Sequence, residues 1–265
     1  MPPARPSLTR SAGTLGENSI SFLERPGDDP PVLLLHGWGA SAATFTPLLQ
    51  GLATGRRLLA PDLPGFGESP LGRGGWTTTG YADLVQGWLE SLGVRRYSLL
   101  GHSYGGALAI RLAAGSFPPD RLLLCAPSGI RPGAAAPPSF RVRAYKGLRG
   151  GARVLPPPWR SRFQEWLVAR MGSQDYRAAA PALRPTLVAA VREDLSPLAA
   201  RLSLPTLVVW GSQDPELPLV PHAQRLVELI PGAELVVFEG SGHFPFLDQA
   251  ARFAAVTDAL MDAEL

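Results

Sequence analysis

Residues 97–106 read YSLLGHSYGG, and this stretch decides the predicted fold. Its first four residues form an apolar run typical of a buried strand, whereas the residues from Tyr104 onward are typical of a helix start. Between them lies a G-x-S-x-G pattern centred on Ser103. A serine held in a tight turn between a strand and a helix needs small residues two positions before and after it, so that the two elements can approach each other. Gly101 and Gly105 meet this requirement, and Ser103 is therefore our candidate nucleophile.

Short apolar runs of the same kind recur along the chain and alternate with helical stretches. Such an alternation indicates a mostly parallel sheet that is covered by helices on both faces. We therefore predict an α/β fold with a mostly parallel sheet of the eight-stranded type. The predicted strands are a pair within 14–25 and the runs 31–35, 57–60, 97–100, 122–126, 206–210 and 234–238, and the predicted helices are 41–53, 80–92, 104–114 and a terminal helix from about Gln249.

Chemically distinctive residues stand directly after these strands. In parallel sheets of this class the ligand crevice lies outside the carboxyl ends of the strands. The sequences in those positions are HGWG, DLPGFG, GHSYGG, APSG, GSQD and GSGH. We therefore expect the functional side chains to meet at one edge of the sheet. DLPGFG matches neither a metal loop nor a phosphate loop, and we interpret it as a rigid turn that braces the site.

The candidate base is found among four histidines, because a serine hydroxyl attacks only when a base removes its proton. His36 and His102 lie beside tight turns, where a structural hydrogen bond is the simpler role. His222 falls on a predicted helix and is expected to be solvated. His243 lies in the loop GSGHF just past the last strand, and two glycines let that loop reach back over Ser103. We therefore predict that His243 is the general base.

The base needs an acid that fixes its tautomer and stabilises the imidazolium. Asp214 follows the seventh predicted strand, in GSQDP, at the same edge of the sheet. Glu216 and Asp248 compete for the role, but Glu216 lies beyond the turn and Asp248 begins the predicted terminal helix. Asp214 is therefore our candidate acid.

Residues 131–195 interrupt the alternation of strands and helices. They contain no strand-like run, are rich in proline and arginine, and carry a formal net charge of +8, against −5 for the rest of the chain. We predict a helical cap (lid) over 131–195, inserted into a core of residues 1–130 and 196–265. Its charge has two interpretations: it attracts an anionic substrate, or it is simply a solvated, arginine-rich surface.

The composition excludes several other classes of protein. A chain of 265 residues is long enough for one large α/β domain, and its net charge of +3 is too small to indicate nucleic-acid binding. A single cysteine, Cys125, excludes an intramolecular disulfide and a cysteine-based metal site. The N-terminal stretch MPPARPSLTR lacks a hydrophobic signal core, and no apolar run reaches the length of a membrane span. We therefore expect a cytoplasmic protein that binds neither nucleic acid nor membranes.

The order Ser103, Asp214, His243 is typical of α/β hydrolases, and the sequence resembles that superfamily from HGWGAS through DLPGFGES and GHSYGG to GSGHFPF. Within it, the stretch DYRAAAPALRPTLVAAVREDLSPL is similar to a group of uncharacterised bacterial hydrolases. The resemblance implies that the backbone N–H groups of Trp38 and Tyr104 form the oxyanion hole. Some members carry the acid after the sixth strand, but PSG, the loop in that position here, offers no carboxylate.

The resemblance implies a serine hydrolase that cleaves an acyl bond of a small molecule through an acyl-enzyme, with no metal or organic cofactor. A carboxylic ester is our first expectation, while thioesters and lactones stay open. A serine, and not an aspartate, in the turn between strand and helix at 101–105 (the nucleophile elbow) argues against haloalkane dehalogenases and epoxide hydrolases. A carbon–carbon bond hydrolase of the meta-cleavage type resembles this chain in size and lid placement, but it usually has Asn where this sequence has His102, so it ranks second. A ligand-binding protein without turnover and an acyl transferase are further alternatives.

Overall fold

The computed structural model describes residues 6–72, 76–131, 156, 159, 162 and 174–263. In these residues the chain forms an eight-stranded sheet in the order β1-β2-β4-β3-β5-β6-β7-β8. The β1–β2 and β2–β4 pairs are antiparallel, and the five other pairs are parallel. This is the predicted α/β fold. The strands are β1 (Thr9–Leu15), β2 (Asn18–Arg25), β3 (Asp28–Leu35), β4 (Arg56–Pro61), β5 (Ser98–His102), β6 (Leu122–Cys125), β7 (Thr206–Gly211) and β8 (Glu234–Phe238).

Helices cover both faces of this sheet. Successive side chains of a strand point to opposite faces, so a strand buried on both sides is apolar at every position. In β3, Leu33 and Leu35 join one buried cluster with the helices 78–91, 104–113 and 219–229, whereas Val32 and Leu34 join a second cluster with the helices 46–51 and 250–262. The helices are α1 (Thr46–Gly51), α2 (Thr78–Ser91), α3 (Tyr104–Ala113), α4 (Gln174–Ala178), α5 (Arg184–Arg192), α6 (Ser196–Ala199), α7 (Leu219–Leu229), α8 (Pro245–Asp248) and α9 (Ala250–Asp262), with short 3-10 helices at Ala42–Phe45 and Pro181–Leu183.

Two helical predictions need correction. The stretch 41–53 is not one helix: a 3-10 turn precedes α1, and Pro47 lies at the start of α1. Asp248 does not begin the terminal helix, because it ends the one-turn helix α8. Gln249 has φ −133° and ψ 55°, which breaks the helical path before α9 begins. Within the described residues, no helix combines the length and the apolar character that crossing a membrane requires.

A buried arginine on β2 ties the sheet to the end of α1. The Arg25 side chain donates hydrogen bonds to the carbonyl oxygens of Leu49, Leu52 and Thr54 at 2.8, 2.7 and 2.6 Å. The last carbonyl groups of a helix have no partner within the helix. Arg25 therefore satisfies carbonyl groups that the fold would otherwise bury without partners.

Gly129 and Leu195, which flank the predicted cap segment between β6 and β7, lie next to each other. The Leu195 N–H donates to the Gly129 carbonyl oxygen at 2.8 Å. Gly129 has φ +86°, and the Leu195 side chain occupies the space where a Cβ would stand. Most of the predicted cap, 132–173 except for positions 156, 159 and 162, lies outside the described residues. The described residues of this segment include α4, the second 3-10 turn and α5.

Candidate active site

Ser103 lies in a strained turn between β5 and α3. Its φ of 51° and ψ of −114° are rare for a residue with a side chain. The turn is fixed on both sides, because the Ser103 N–H donates to the Cys125 carbonyl at 3.0 Å and the Ser103 carbonyl accepts the N–H of Gly106, Ala107 and Ser128 at 2.9, 3.1 and 2.9 Å. The serine therefore has little freedom to relax out of its conformation.

The two flanking glycines are needed for the close contact of β5 with α3. A Cβ on Gly105 would overlap the carbonyl oxygen of Leu35 on β3, and a Cβ on Gly101 would lie 2.5 Å from the carbonyl oxygen of Gly105. A third glycine, Gly37, brings the loop after β3 beside the elbow, because its Cβ would lie 3.1 Å from the Cβ of Ser103. Glycine at these positions lets three backbone segments meet around one serine.

Asp214 and His243 form a buried pair at the same edge of the sheet. They follow β7 and β8, which are parallel neighbours, so their loops leave the sheet side by side. His243 Nδ1 and Asp214 Oδ2 are 2.7 Å apart. The other carboxylate oxygen of Asp214 accepts the N–H groups of Glu216 and Leu217 at 2.8 and 2.9 Å.

The charge on Asp214 is favoured by these contacts. Burial opposes ionisation, but the hydrogen bonds from His243, Leu217 and Glu216 outweigh it and hold the pKa of Asp214 below its ordinary value. The ionised form of Asp214 is therefore favoured, and its Oδ2 lies at hydrogen-bond distance from His243 Nδ1, which leaves Nε2 on the other side of the ring.

The structure does not join Ser103 to His243 directly. Within the described residues, no hydrogen bond links the Ser103 hydroxyl to the imidazole, and His243 Nε2 lies 3.6 Å from the Glu216 carboxylate. Glu216 is largely exposed, with 58% of its side chain accessible. The Glu216 carboxylate therefore lies on the Nε2 side of the imidazole.

The two other histidines near the site have structural roles, as predicted. The His102 Nε2–H donates to the carbonyl oxygen of His243 at 2.9 Å and so ties the elbow to the loop after β8. Burial and the neighbouring His243 lower the pKa of His102 to about 3, so the ring is neutral. The His36 Nδ1–H donates to the Gly37 carbonyl at 2.8 Å, and its Nε2 accepts the Leu63 N–H at 3.1 Å. Burial also lowers the pKa of His36.

Trp38 and Tyr104 lie next to the elbow. Within the described residues, neither of their backbone N–H groups donates a hydrogen bond. The Trp38 ring packs edge-on against Phe66 and Tyr104, with ring centroids 5.0 and 5.4 Å apart. These contacts fix the indole as a wall of the site.

Asp62 braces the loops that surround the site, as its DLPGFG motif predicts. Its carboxylate is buried and accepts the N–H groups of Ala42 and Glu68 at 2.6 and 2.9 Å, and it forms an ion pair with Arg10 at 2.8 Å. The carboxylate therefore holds β1 and the loops after β3 and β4 together. Among the described residues, no cluster of His, Cys, Asp and Glu is arranged to hold a metal ion.

A cavity of about 490 Å³ opens in front of Ser103. Within its described wall the charged groups are Arg131, Asp175, Glu193 and Glu216, and Glu193 is ion-paired with Arg111. The remaining wall is mostly apolar, which suits a small organic substrate. The other lining residues are Trp38, Ser103, Tyr104, Ser128, Gly129, Ile130, Leu187, Ala190, Val191 and Leu217.

A model of the alpha/beta hydrolase family matches residues 32–256. The chain belongs to this family. It is 33% identical over 256 residues to a pimeloyl-[acyl-carrier protein] methyl ester esterase of Aeromonas salmonicida, covering 88% of this chain and 96% of that protein. It is 29% identical over 262 residues to an uncharacterized protein of Mycobacterium tuberculosis, covering 89% and 76%. The solved structure of an esterase from Exiguobacterium antarcticum shares the fold, with a TM-score of 0.69, 24% identity and coverage of 93% and 96%.

Membership of the alpha/beta hydrolase family confirms the resemblance drawn from the motifs. One feature of this hydrolase that the sequence does not reveal is the position of Glu216. Its place two residues after Asp214 made it a candidate acid, yet the structure puts its carboxylate beside Nε2 of His243, on the opposite side of the ring from Asp214. The sequence feature that relates to this position is the Asp-Pro-Glu spacing of residues 214–216. The Asp214 carboxylate accepts the Glu216 N–H across this spacing and fixes the turn.

Proposed function

We propose that this alpha/beta hydrolase is a serine hydrolase that cleaves a carboxylic ester of a small molecule. The observation that carries the proposal is the buried Asp214–His243 pair at the same edge of the sheet as a strained Ser103, which lines a cavity. The esterase from Aeromonas salmonicida acts on a methyl ester, and its 33% identity to this chain supports the ester as the substrate bond.

In the proposed mechanism, His243 Nε2 removes the proton of the Ser103 hydroxyl as Oγ attacks the acyl carbon. The N–H groups of Trp38 and Tyr104 bind the oxygen that becomes negative. Asp214 stabilises the imidazolium, which then gives its proton to the departing alkoxide and releases an alcohol. Water attacks the resulting acyl-enzyme with His243 again as base, and the products are a carboxylic acid and the free serine.

The proposal includes residues 131–195 as a cap over this cavity, on a core of 1–130 and 196–265. Two observations support it. The chain enters and leaves the segment at the Gly129–Leu195 hydrogen bond, and residues of α4 and α5, such as Asp175 and Leu187, line the cavity in front of Ser103. The acidic groups of the described wall do not favour an anionic substrate, so a neutral ester is the first choice.

The decisive test combines active-site labelling with turnover. Ser103→Ala should abolish both labelling by a fluorophosphonate probe and hydrolysis of p-nitrophenyl butyrate, while circular dichroism stays unchanged. Ser116→Ala, a matched change at an exposed serine, should retain both activities. Unchanged turnover by Ser103→Ala would refute the mechanism. Labelling of the wild type without turnover of methyl esters, thioesters, lactones or vinylogous diketones would favour a ligand-binding protein.

A further inference from the structure

A second cavity, of about 300 Å³, lies beside the first, and Trp38 belongs to the walls of both. We propose that this side cavity binds the distal part of an unbranched acyl chain, so that the substrates include esters of medium-chain carboxylic acids. The inference rests on the proposed ester hydrolysis, because it assigns the two parts of one ester to two cavities.

The wall of the side cavity suits an alkyl chain. It is built from the loop after β3, the loop after β4 and the segment 175–183, and within the described wall the only charged residue is the exposed Asp175. The other lining residues are glycine, alanine, leucine, phenylalanine and tryptophan. An alkyl group needs no hydrogen-bond partner, and its transfer from water to such a wall is favourable.

The shape of the wall favours an unbranched chain over a bulky group. Small residues supply much of the surface, including Gly39, Ala40 and Ala178. Gly65 and Gly67 have φ of +85° and +53°, so a side chain at either position is strained whatever the space. The backbone conformation therefore disfavours a side chain at these two positions of the wall.

The direction of the reaction assigns the acyl part to this side. The leaving oxygen must receive its proton from His243, so the alcohol part lies on the side of the main cavity where Glu216 and Leu217 stand. The carbonyl oxygen must point to the N–H groups of Trp38 and Tyr104. The acyl chain then extends away from His243 and along Trp38. The Trp38 indole is held by its ring contacts and belongs to the walls of both cavities. A short acyl chain therefore ends in the main cavity, and a longer acyl chain passes the indole and enters the side cavity.

The test is to fill the side cavity and measure chain-length preference. Ala179 lines this cavity, is largely buried, and takes no part in the proposed chemistry. Ala179→Leu should lower kcat/KM for p-nitrophenyl decanoate by about tenfold or more while leaving p-nitrophenyl acetate nearly unchanged, because the added group competes only with the end of the long chain. Ala189→Leu, the same change at an exposed position, should leave the whole series unchanged.

Two further measurements separate this inference from the proposed function. In a series of acetate esters with alcohols of increasing length, Ala179→Leu should behave like the wild type; a selective loss for long alcohols would overturn the assignment of the acyl chain. An equal loss of kcat/KM for p-nitrophenyl acetate and p-nitrophenyl decanoate in Ala179→Leu would also overturn this assignment. Binding of decanoate to Ser103→Ala, measured by calorimetry, should weaken about tenfold in Ser103→Ala/Ala179→Leu. This readout tests the side cavity even if the wild type hydrolyses no ester, whereas absent labelling and turnover would refute only the function.

Discussion

Replacing Asp214 with Asn should invert the tautomer of His243 without disturbing the fold. One carboxylate oxygen of Asp214 accepts two backbone N–H groups, and only an oxygen can do so. The Asn side chain must therefore keep its carbonyl oxygen there and turn its NH2 group toward His243 Nδ1. An NH2 group donates, so Nδ1 would have to accept and the proton would move to Nε2. The base would then have no lone pair for Ser103.

The expected cost is large because the defect lies in the transition state. An acid-to-amide change that leaves the geometry intact but reverses the tautomer lowers kcat by about 10⁴. That factor corresponds to ~5.5 kcal/mol of lost transition-state stabilisation. The assay is steady-state hydrolysis of p-nitrophenyl butyrate by Asp214→Asn, with the rate of fluorophosphonate labelling as a second readout. KM should change little, because Asp214 does not line the cavity.

A matched control and a stability measurement make the prediction refutable. Asp83→Asn, at an exposed position of α2, should retain full activity. Because the folded-state pKa of Asp214 is below its unfolded value, its charge contributes stability above the unfolded pKa that is lost as pH falls through the folded pKa. Asp214→Asn should therefore reduce the acid dependence of urea unfolding. Activity within about tenfold of the wild type would refute the tautomer mechanism.

Three further predictions concern the framework around the site. Gly105→Ala should lower the free energy of unfolding by about 1–3 kcal/mol or more, because the added Cβ overlaps the Leu35 carbonyl oxygen. Gly80→Ala in α2, where a Cβ has ordinary contacts, should not destabilise the fold. Urea titration of both variants measures the difference. Arg25→Met should cost about 3 kcal/mol or more in the same titration, because it leaves three carbonyl groups without their donor, and full stability of this variant would contradict the structure. Acidification from about pH 6.5 to about pH 4 should lower the free energy of unfolding by up to about 1.4 kcal/mol per pH unit for His102 alone. The reason is that His102 in the unfolded chain takes up a proton, whereas His102 in the folded protein, with a pKa of about 3, does not. In His102→Asn the free energy of unfolding should depend less steeply on pH.

The elements of the fold were predictable because their signals are local. Val32 to Leu35 is apolar at every position since both faces of β3 are covered, and the glycines around Ser103 reflect contacts that only glycine permits. The contact between Asp214 and His243 was predictable for a related reason. Both residues follow strands, and parallel strands bring their carboxyl ends to one edge.

Features that depend on side-chain direction were not predictable. Glu216 approaches the imidazole from the side opposite Asp214 because the Asp214 carboxylate accepts the backbone N–H groups of Glu216 and Leu217 and so fixes the turn. The Asp-Pro-Glu spacing allows this turn but does not give the direction of the Glu216 side chain. Formal charge was similarly uninformative about the cavity. The segment 131–195 is basic overall, yet Asp175 and Glu193 from that segment face the described wall of the cavity. The net charge of a segment does not show which of its charged side chains line the cavity.

The hydrogen bond between Leu195 and Gly129 has a consequence for how this protein can change over time. Gly129 and Leu195, which flank the segment 130–194 between β6 and β7, are hydrogen-bonded to each other. The two ends of the segment can therefore keep the same positions when the residues between them change. Insertions, deletions or exchange of residues within this segment therefore need not move the ends of β5 and β7, after which Ser103 and Asp214 lie. Lengthening a closed loop costs little, about 0.6 kcal/mol for each doubling. Under the proposed function, changes in this segment would alter the cavity wall to which Asp175 and Leu187 contribute, while Ser103 and Asp214 keep their places after the core strands.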